Sequence, residues 1–358
     1  MILNALRARE AQAIEQAALA LLAGDLIGLP TETVYGLAAD ANNAAAVAKI
    51  FKAKDRPADH PLIVHVAEAS EVGLFASEVP AFAQALMSAF WPGPLTLILP
   101  RRPEVAAVAA GGQLSIGLRC PSHPVAQALL KRALALGVQG VAAPSANRFG
   151  RVSPTTAAHV AVEFPKTETL DLLILDGGPC EVGIESSIVD CSRGMPVLLR
   201  PGGVSRAALT HVLSACGHPL VSPEQAAQAS TQQAPKASGT LTAHYAPRAQ
   251  VKLMSLADMQ AAWLKWAASQ KQVGPAGQKG QLALYVREKP AFLPFDGVNA
   301  AHAVKVFKMP DSADASAHRL FADLRQMDEP STVEIWVQSI PLSAEWEGVA
   351  DRLRRAAA

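Results

Sequence analysis

The sequence predicts an α/β protein: a mixed sheet, then a second, smaller α/β domain. Three observations carry that prediction. Short apolar runs alternate with longer amphipathic stretches up to about residue 217, as strands and helices do in a layered sheet. Some connections between apolar runs are too short for a crossover helix, so part of the sheet must be antiparallel. Residues 221–240 then turn to Ser, Gln, Ala and Pro with almost no large apolar side chain, which marks a linker, and the alternation resumes beyond it.

Residues 8–23 read as a helix, with Ile14, Ala18, Leu21 and Leu22 on one face and Gly24 as its stop. Residues 26–29 form a short buried strand that runs into the polar turn Pro30-Thr31-Glu32-Thr33. A helix follows over 43–53 and a strand over 62–66. The strand at 95–99 is entered through Pro92-Gly93-Pro94. Further strands are expected at 115–119, 140–143, 171–175, 186–190 and 197–200, with helices at 122–136, 154–163 and 205–215. Past the linker, strands at 250–253, 281–286, 303–307 and 332–337 interleave with helices at 256–268, 314–327 and 344–355. That pattern is a βαβ-type domain of ~110 residues. No internal repeat is visible.

Half of the 358 residues are hydrophobic and 18% are charged, which supports packed cores. Aromatics are only 5%, so Ala, Leu and Val must fill them. Residues 1–210 hold 17 Lys+Arg against 18 Asp+Glu, and 211–358 hold 15 against 13. Neither part has the basic excess of a dedicated nucleic-acid binder, so an anionic ligand would be met by a few placed cations. Cysteines 120, 180, 191 and 216 include no CxxC pair, which argues against structural zinc and for free thiols in a reducing compartment. The start Met-Ile-Leu-Asn-Ala-Leu-Arg lacks a basic segment followed by an apolar one. No apolar run approaches the ~20 residues of a membrane span, so a cytoplasmic protein is expected.

Polar residues gather at strand ends: Thr31, Glu32 and Thr33; Lys54 and Arg56; Ser115 and Arg119; Ser145 and Asn147; Ser186 and Ser187; Arg200. In open α/β sheets ligands sit in the crevice at strand ends. Separated cations and hydroxyls there suit a phosphate ligand with a small polar co-substrate. Gly178 and Gly183 have the outer spacing of a Walker A loop, but Ile184 stands where Lys is required. No GxGxxG follows a strand, and Ser145 lacks a GxSxG context.

Six ordered segments are diagnostic together: Pro30-Thr31-Glu32-Thr33-Val34-Tyr35-Gly36-Leu37; Lys54-Asp55-Arg56-Pro57 with Pro61-Leu62-Ile63-Val64-His65-Val66; Trp91-Pro92-Gly93-Pro94-Leu95-Thr96; Pro144-Ser145-Ala146-Asn147; Ile184-Glu185-Ser186-Ser187-Ile188-Val189-Asp190; and Leu199-Arg200-Pro201-Gly202. They closely resemble the YrdC/Sua5 family. His244-Tyr245-Ala246-Pro247 resembles the linker signature of its long, Sua5-type form. The resemblance implies a twisted open mixed sheet with a deep positive cavity over residues 1–215, a linker or lid at 216–247, and a smaller Rossmann-like domain over 248–358. It implies that L-threonine, bicarbonate and ATP give threonylcarbamoyl-adenylate and pyrophosphate, with Mg²⁺ accompanying ATP. It further implies tRNA modification through a threonylcarbamoyl-transferase complex as the product's destination.

By motif, Lys54, Arg56, Ser145 and Asn147 are carried over as the groups facing the ATP phosphates and metal. Arg56, His60, Ser115, Ser145, Ser153, Arg200 and Tyr245 are carried over as nucleotide contacts. Thr33, His65, Arg119, the backbone of Ala143 and Ser186 are carried over as threonine contacts, with Arg119 on the carboxylate. No metal site made by protein side chains alone is expected.

Read without the resemblance, each residue has a plainer role. Lys54 and Arg56 could end a solvated helix, His65 could be a satisfied core histidine, and Ser145 and Asn147 could cap a turn. Glu32 could belong to the turn or assist amine or metal binding. Two departures from the family pattern stand out: His60 replaces an Asn, and Ser238-Gly239-Thr240-Leu241-Thr242-Ala243 lacks a basic residue before His244. Two other functions stay open. A non-catalytic RNA-binding module is disfavoured by the even charge. A carbamoyltransferase of the hydrogenase-maturation type is disfavoured by the absence of Cys-rich zinc elements.

Overall fold

Local chemistry sets the element ends. In the computed structural model, the Asn43 side chain accepts from Ala46 N at 3.1 Å and starts a helix over Ala44–Lys54. Gly24 closes the first helix with φ +81°, a conformation that costs glycine nothing. His123 caps the helix that begins at Pro124 by accepting from Val125 N at 3.2 Å, and Ser205 caps the one at Arg206. The structure describes residues 1–5, 10–168, 170–229, 233–271, 280–288, 290–291 and 304–358. Positions 8, 9 and 303 of the expected elements lie outside these.

The chain divides into two units, Met1–Phe149 with Ser153–Leu241, and Gly150–Val152 with Thr242–Ala358. The first carries strands β1 (Ile2–Asn4), β2 (Ile27–Leu29), β3 (Gly36–Asp40), β4 (Ile63–His65), β5 (Leu95–Pro100), β6 (Ser115–Arg119), β7 (Val141–Ala142), β8 (Leu173–Asp176), β9 (Ser187–Asp190) and β10 (Val197–Arg200). Its helices are α1 (Glu10–Leu22), α2 (Ala44–Lys54), α3 (Ala81–Phe90), α4 (Pro124–Ala135), α5 (Ala157–Glu163), α6 (Arg206–Ala215) and α7 (Pro223–Ala229). The strands form one mixed sheet in the order β1-β8-β2-β3-β7-β4-β6-β5-β9-β10.

Alternate residues of the strands feed two separate cores. Leu37, Ala39 and Ala142 join a cluster with residues of α2, α3, α5 and α6. Their neighbours Ala38 and Val141 join a second cluster with α1 and α4. The period-2 geometry of a strand therefore places helices on both faces.

In the second unit, β11 (Gln250–Met254), β12 (Gln281–Val286), β13 (Val304–Lys308) and β14 (Thr332–Gln338) form an all-parallel sheet in the order β11-β14-β12-β13. Helices α8 (Leu256–Lys271), α9 (Ala313–Met327) and α10 (Glu347–Ala356) complete it. Residues 150–152 belong here: Ala246 N donates to Gly150 O at 2.8 Å, Arg151 bridges Ala246 in parallel, and the Arg325 guanidinium donates to Val152 O. The α/β class with a mixed sheet and a second, smaller α/β unit is as expected. The chain passes from the first unit to the second after Leu241, and α7 lies inside the stretch read as a linker. No helix among the described residues is long and apolar enough to cross a membrane.

Candidate active site

The first unit gathers its polar residues in two groups. The first surrounds Arg119 at the end of β6. It is 4% exposed, and Glu32 is 3% exposed. Arg119 Nη1 donates to Thr33 Oγ1 at 2.8 Å, and Nε donates to Gly93 O at 3.4 Å. Arg119 Nη2 stands 2.7 Å from Glu32 Oε1. That contact is a charge pair without an aligned hydrogen bond, since neither atom has a hydrogen-bond partner. The turn holding Thr33 is organised by Thr31, whose hydroxyl donates to Val34 O at 2.5 Å and lies 2.9 Å from Thr33 Oγ1. His65 faces Arg119 in the parallel register of β4 and β6. Burial, and then the Arg119 charge, push its pKa down to about 3, so the ring is neutral at physiological pH.

Ser186 opens the second group. Its hydroxyl lies 2.8 Å from Thr96 Oγ1 and accepts from Arg200 Nη2 at 3.2 Å. Arg200 also donates to Ser186 O from Nη2 at 2.8 Å and from Nε at 3.1 Å, and its Nη1 donates to Ser238 O at 2.8 Å. Arg56 donates to Pro61 O at 2.9 Å and to Ser238 Oγ at 3.1 Å, and its guanidinium lies 5.6 Å from the Phe149 ring centroid. His60 meets the same ring edge-on at 5.5 Å. Burial and Arg56 lower the His60 pKa.

Lys54 ends α2 and is fully buried. Its ammonium donates to Ser145 O at 2.6 Å and to Asn147 O. It therefore clamps the loop that carries those two residues. Burial, and next Arg56, hold its pKa well below the ordinary lysine value, while Glu163 and Glu185 oppose that shift. Asn147 Nδ2 donates to Arg148 O at 2.7 Å. Ser153 donates to Glu185 Oε1 at 2.5 Å. The Ala143 amide donates to Ile63 O at 3.0 Å, beside β4.

The sheet topology changes where a ligand would sit. Because β5, β7 and β9 run against β4 and β6, the predicted residues fall at both ends of the strands. His65, Arg119, Ser186 and Arg200 lie at one end, and Ala143, Ser145 and Ser115 at the other. A small cavity lies on the sheet face, lined by Ile63, Thr96, Ser115, Gly117 and Ile188, with residues 236–238 along it. About 10 Å³ of space remains beneath that segment, room for roughly one water. Tyr245 belongs to the second unit, where it is buried with φ +61°, its ring 5.4 Å from both Phe321 and the Arg352 guanidinium.

Sequence reasoning had not singled out Thr96, Glu185 or Ser238. The first two stand in the quoted motifs, where no role was assigned to them. Ser238 carries no motif signal, only its place in a low-complexity stretch. Burial raises the thiol pKa of Cys120 to about 11 and raises those of Cys180 and Cys191, so these three are protonated, not activated nucleophiles. No group of three His, Cys, Asp or Glu residues poised to hold a metal ion exists among the described residues.

Comparison with known proteins gives consistent matches. Residues 19–202 match the Sua5–YciO–YrdC family, described as telomere recombination. Residues 204–358 match the Sua5 C-terminal family, described as threonylcarbamoyl-AMP synthase, C-terminal domain. The chain is 36% identical over 339 residues to the threonylcarbamoyl-AMP synthase of Pyrococcus abyssi, covering 93% of this chain and 90% of that one. It is 35% identical over 348 residues to the Bacillus subtilis threonylcarbamoyl-AMP synthase, covering 96% and 92%. The crystal structure of P. abyssi Sua5 complexed with L-threonine matches with a TM-score of 0.82 at 33% identity, covering 100% of this chain and 97% of that one.

Proposed function

Since the chain belongs to the Sua5–YciO–YrdC family, in the form that carries the Sua5 C-terminal domain, we propose that it is an L-threonylcarbamoyladenylate synthase. It would convert L-threonine, bicarbonate and ATP into threonylcarbamoyl-AMP and pyrophosphate, for transfer to tRNA by a separate transferase complex in the cytoplasm. The observation that carries this reading is the set of three buried guanidinium groups in one unit: Arg119, held by Thr33 and Glu32, and Arg56 and Arg200, both held by Ser238. One cation for a carboxylate and two for phosphates suit a reaction uniting a small amino acid with a nucleotide.

Arg119 and Thr33 would hold the threonine carboxylate, with neutral His65, the Ala143 backbone and Ser186 around the rest of the molecule. The amine takes up the bicarbonate carbon with loss of water. A carbamate oxygen then attacks the α-phosphorus, and pyrophosphate leaves. The protein supplies no nucleophile of its own, only position and charge. Arg56, Arg200, His60, Ser115 and Ser153 would contact the nucleotide, and Lys54 would hold Ser145 and Asn147 in place. Tyr245 is proposed as the nucleotide contact from the linker signature. The hydroxyl of Ser145 and the amide oxygen of Asn147 are hard donors of the kind Mg²⁺ takes, and the cation would arrive on the ATP phosphates, whose charge it neutralises. Ser238 now holds both Arg56 and Arg200, so the segment 236–238 would have to lift for ATP to enter.

The test is direct. Purified protein is incubated with ATP, bicarbonate and L-threonine, and pyrophosphate and the adenylate are followed by mass spectrometry. Threonine-dependent pyrophosphate is expected, and its absence refutes the reading. Arg56→Ala should lower turnover by roughly 10²–10³-fold while leaving the far-UV spectrum unchanged.

A further inference from the structure

Several buried polar side-chain atoms that lack a hydrogen bond gather around Arg119. Among the described residues, Glu32 Oε1, Glu32 Oε2, Arg119 Nη2 and His65 Nδ1 are all in this state. Glu32 and Arg119 touch at 2.7 Å, and His65 pairs with Arg119 across β4 and β6. A buried ion pair offsets the desolvation of its two charges only when hydrogen bonds satisfy it well. Here the charges meet, but the hydrogen bonds are not made. The misfit is local: the other side of the same guanidinium donates to Thr33 and Gly93. Each such unsatisfied group in a native structure calls for an explanation, and an absent ligand is one.

We propose that the Glu32 carboxylate stands on Arg119 in place of a substrate carboxylate, and that an α-amino acid enters by exchange. The incoming carboxylate takes Arg119, and the displaced Glu32 carboxylate takes the α-ammonium. This rests on the threonine reading above and adds to it a partner for the amine. The exchange conserves charge. One cation and one anion face each other before entry. Two of each do afterwards, in two pairs, so no uncompensated charge is buried. A ligand with a carboxylate and no amine would free Glu32 into the interior without a cation. A ligand with an amine and no carboxylate would take Glu32 and leave Arg119 bare. The pocket therefore selects a zwitterion by requiring both halves at once. The uncharged ring of His65 adds no third charge that would unbalance the exchange.

The test is calorimetric titration of the full chain near neutral pH with L-threonine, with 3-hydroxybutyrate, which lacks the amine, and with L-threoninol, which lacks the carboxylate. Wild-type protein is expected to bind threonine at least about 100-fold more tightly than either half-ligand, because each leaves a buried charge unpaired. Glu32→Gln should weaken threonine by about 10–100-fold yet tighten 3-hydroxybutyrate, since the resident competitor is gone. A purely structural Glu32 would weaken both ligands alike, and that result overturns the exchange. So does equal wild-type affinity for threonine and 3-hydroxybutyrate, which needs no variant. If Glu32→Gln does not fold, Glu32→Asp keeps the charge one methylene short and should show reduced but measurable discrimination; unchanged discrimination counts against the proposal. Failure of the wild-type protein to bind threonine at all removes the functional reading, and the exchange with it, and differs from every outcome above.

Discussion

Gly202 follows β10, next to the Glu185–Ser186 backbone that leads into β9. A methyl group at its Cα would lie 2.3 Å from Glu185 O, 2.6 Å from Ser186 C and 2.7 Å from Ser186 O. Ordinary contact begins at 3.4 Å, so Gly202→Ala falls short by about 1.1 Å, and every atom it meets is backbone. That backbone is held in place. Gly203 N donates to Glu185 O at 3.2 Å, and Arg200 donates twice to Ser186 O. Overpacking costs about 1–3 kcal/mol, and stretching a charged hydrogen bond out of range adds about 1.5–3 kcal/mol. The variant should therefore lose about 3 kcal/mol or more. At about 2–4 °C per kcal/mol for a unit of this size, its melting point should fall by roughly 6–12 °C. A displacement of about 1 Å between Ser186 and Arg200 should lower threonine-dependent pyrophosphate release by about 10²-fold. Circular-dichroism melting and the pyrophosphate assay read the two effects. A melting point within about 1 °C of wild type, with full turnover, would show that the close approach of these two backbones sets neither stability nor geometry.

The remaining predictions test single contacts. Ser187 Oγ donates to Val204 O at 2.6 Å and accepts from Val204 N at 3.0 Å, so Ser187→Ala leaves two buried backbone groups unpaired and should cost about 2–4 kcal/mol in urea unfolding. His65 has a folded pKa of about 3 against an ordinary 6.5. The unfolded chain thus binds the extra proton between those values, and stability falls as pH drops through that window. His65→Gln should flatten the slope of unfolding free energy there by up to ~1.4 kcal/mol per pH unit. Lys236 and Asp59 form a 2.6 Å pair with both side chains more than half exposed, so Lys236→Ala should leave thermal unfolding unchanged. Arg119→Lys keeps the charge but loses the planar fork, so it should raise KM for threonine at least about 10-fold and leave KM for ATP near wild type, as steady-state kinetics would show.

The elements with strong local signals were legible. The strands at 115–119, 197–200 and 281–286 have the bounds read from their apolar runs. β3 escaped notice because Gly-Leu-Ala-Ala-Asp has no β-branched residue and forms its strand through pairing with β2 and β7. α3 also escaped, although its buried Phe82, Ala83, Leu86 and Met87 have the spacing of one helix face. At the candidate site, motif order singled out Arg56, Arg119, Ser186 and Arg200 as candidates. It could not supply the strand order, and that order turns a crevice at strand ends into a cavity on a sheet face. Nor could it show that Glu32 and Ser238 already occupy the cations, since Glu32 lies 87 residues from Arg119 and Ser238 lies 38 from Arg200, so each pair meets only through tertiary packing.

Three residues from the middle of the chain, Gly150–Val152, fold with its tail. No single cut in the gene therefore yields two self-sufficient products. A fragment beginning at Thr242 has Ala246 and Arg325 donors without the carbonyls of Gly150 and Val152 that they serve. A fragment ending at Leu241 carries those carbonyls with no donors. Most of this clasp is made to backbone carbonyls that any tripeptide supplies, so a tail from a relative could still close on it. The side-chain exception is Arg151, whose guanidinium lies 3.4 Å from Asp328, and a swapped tail would have to keep an acid there.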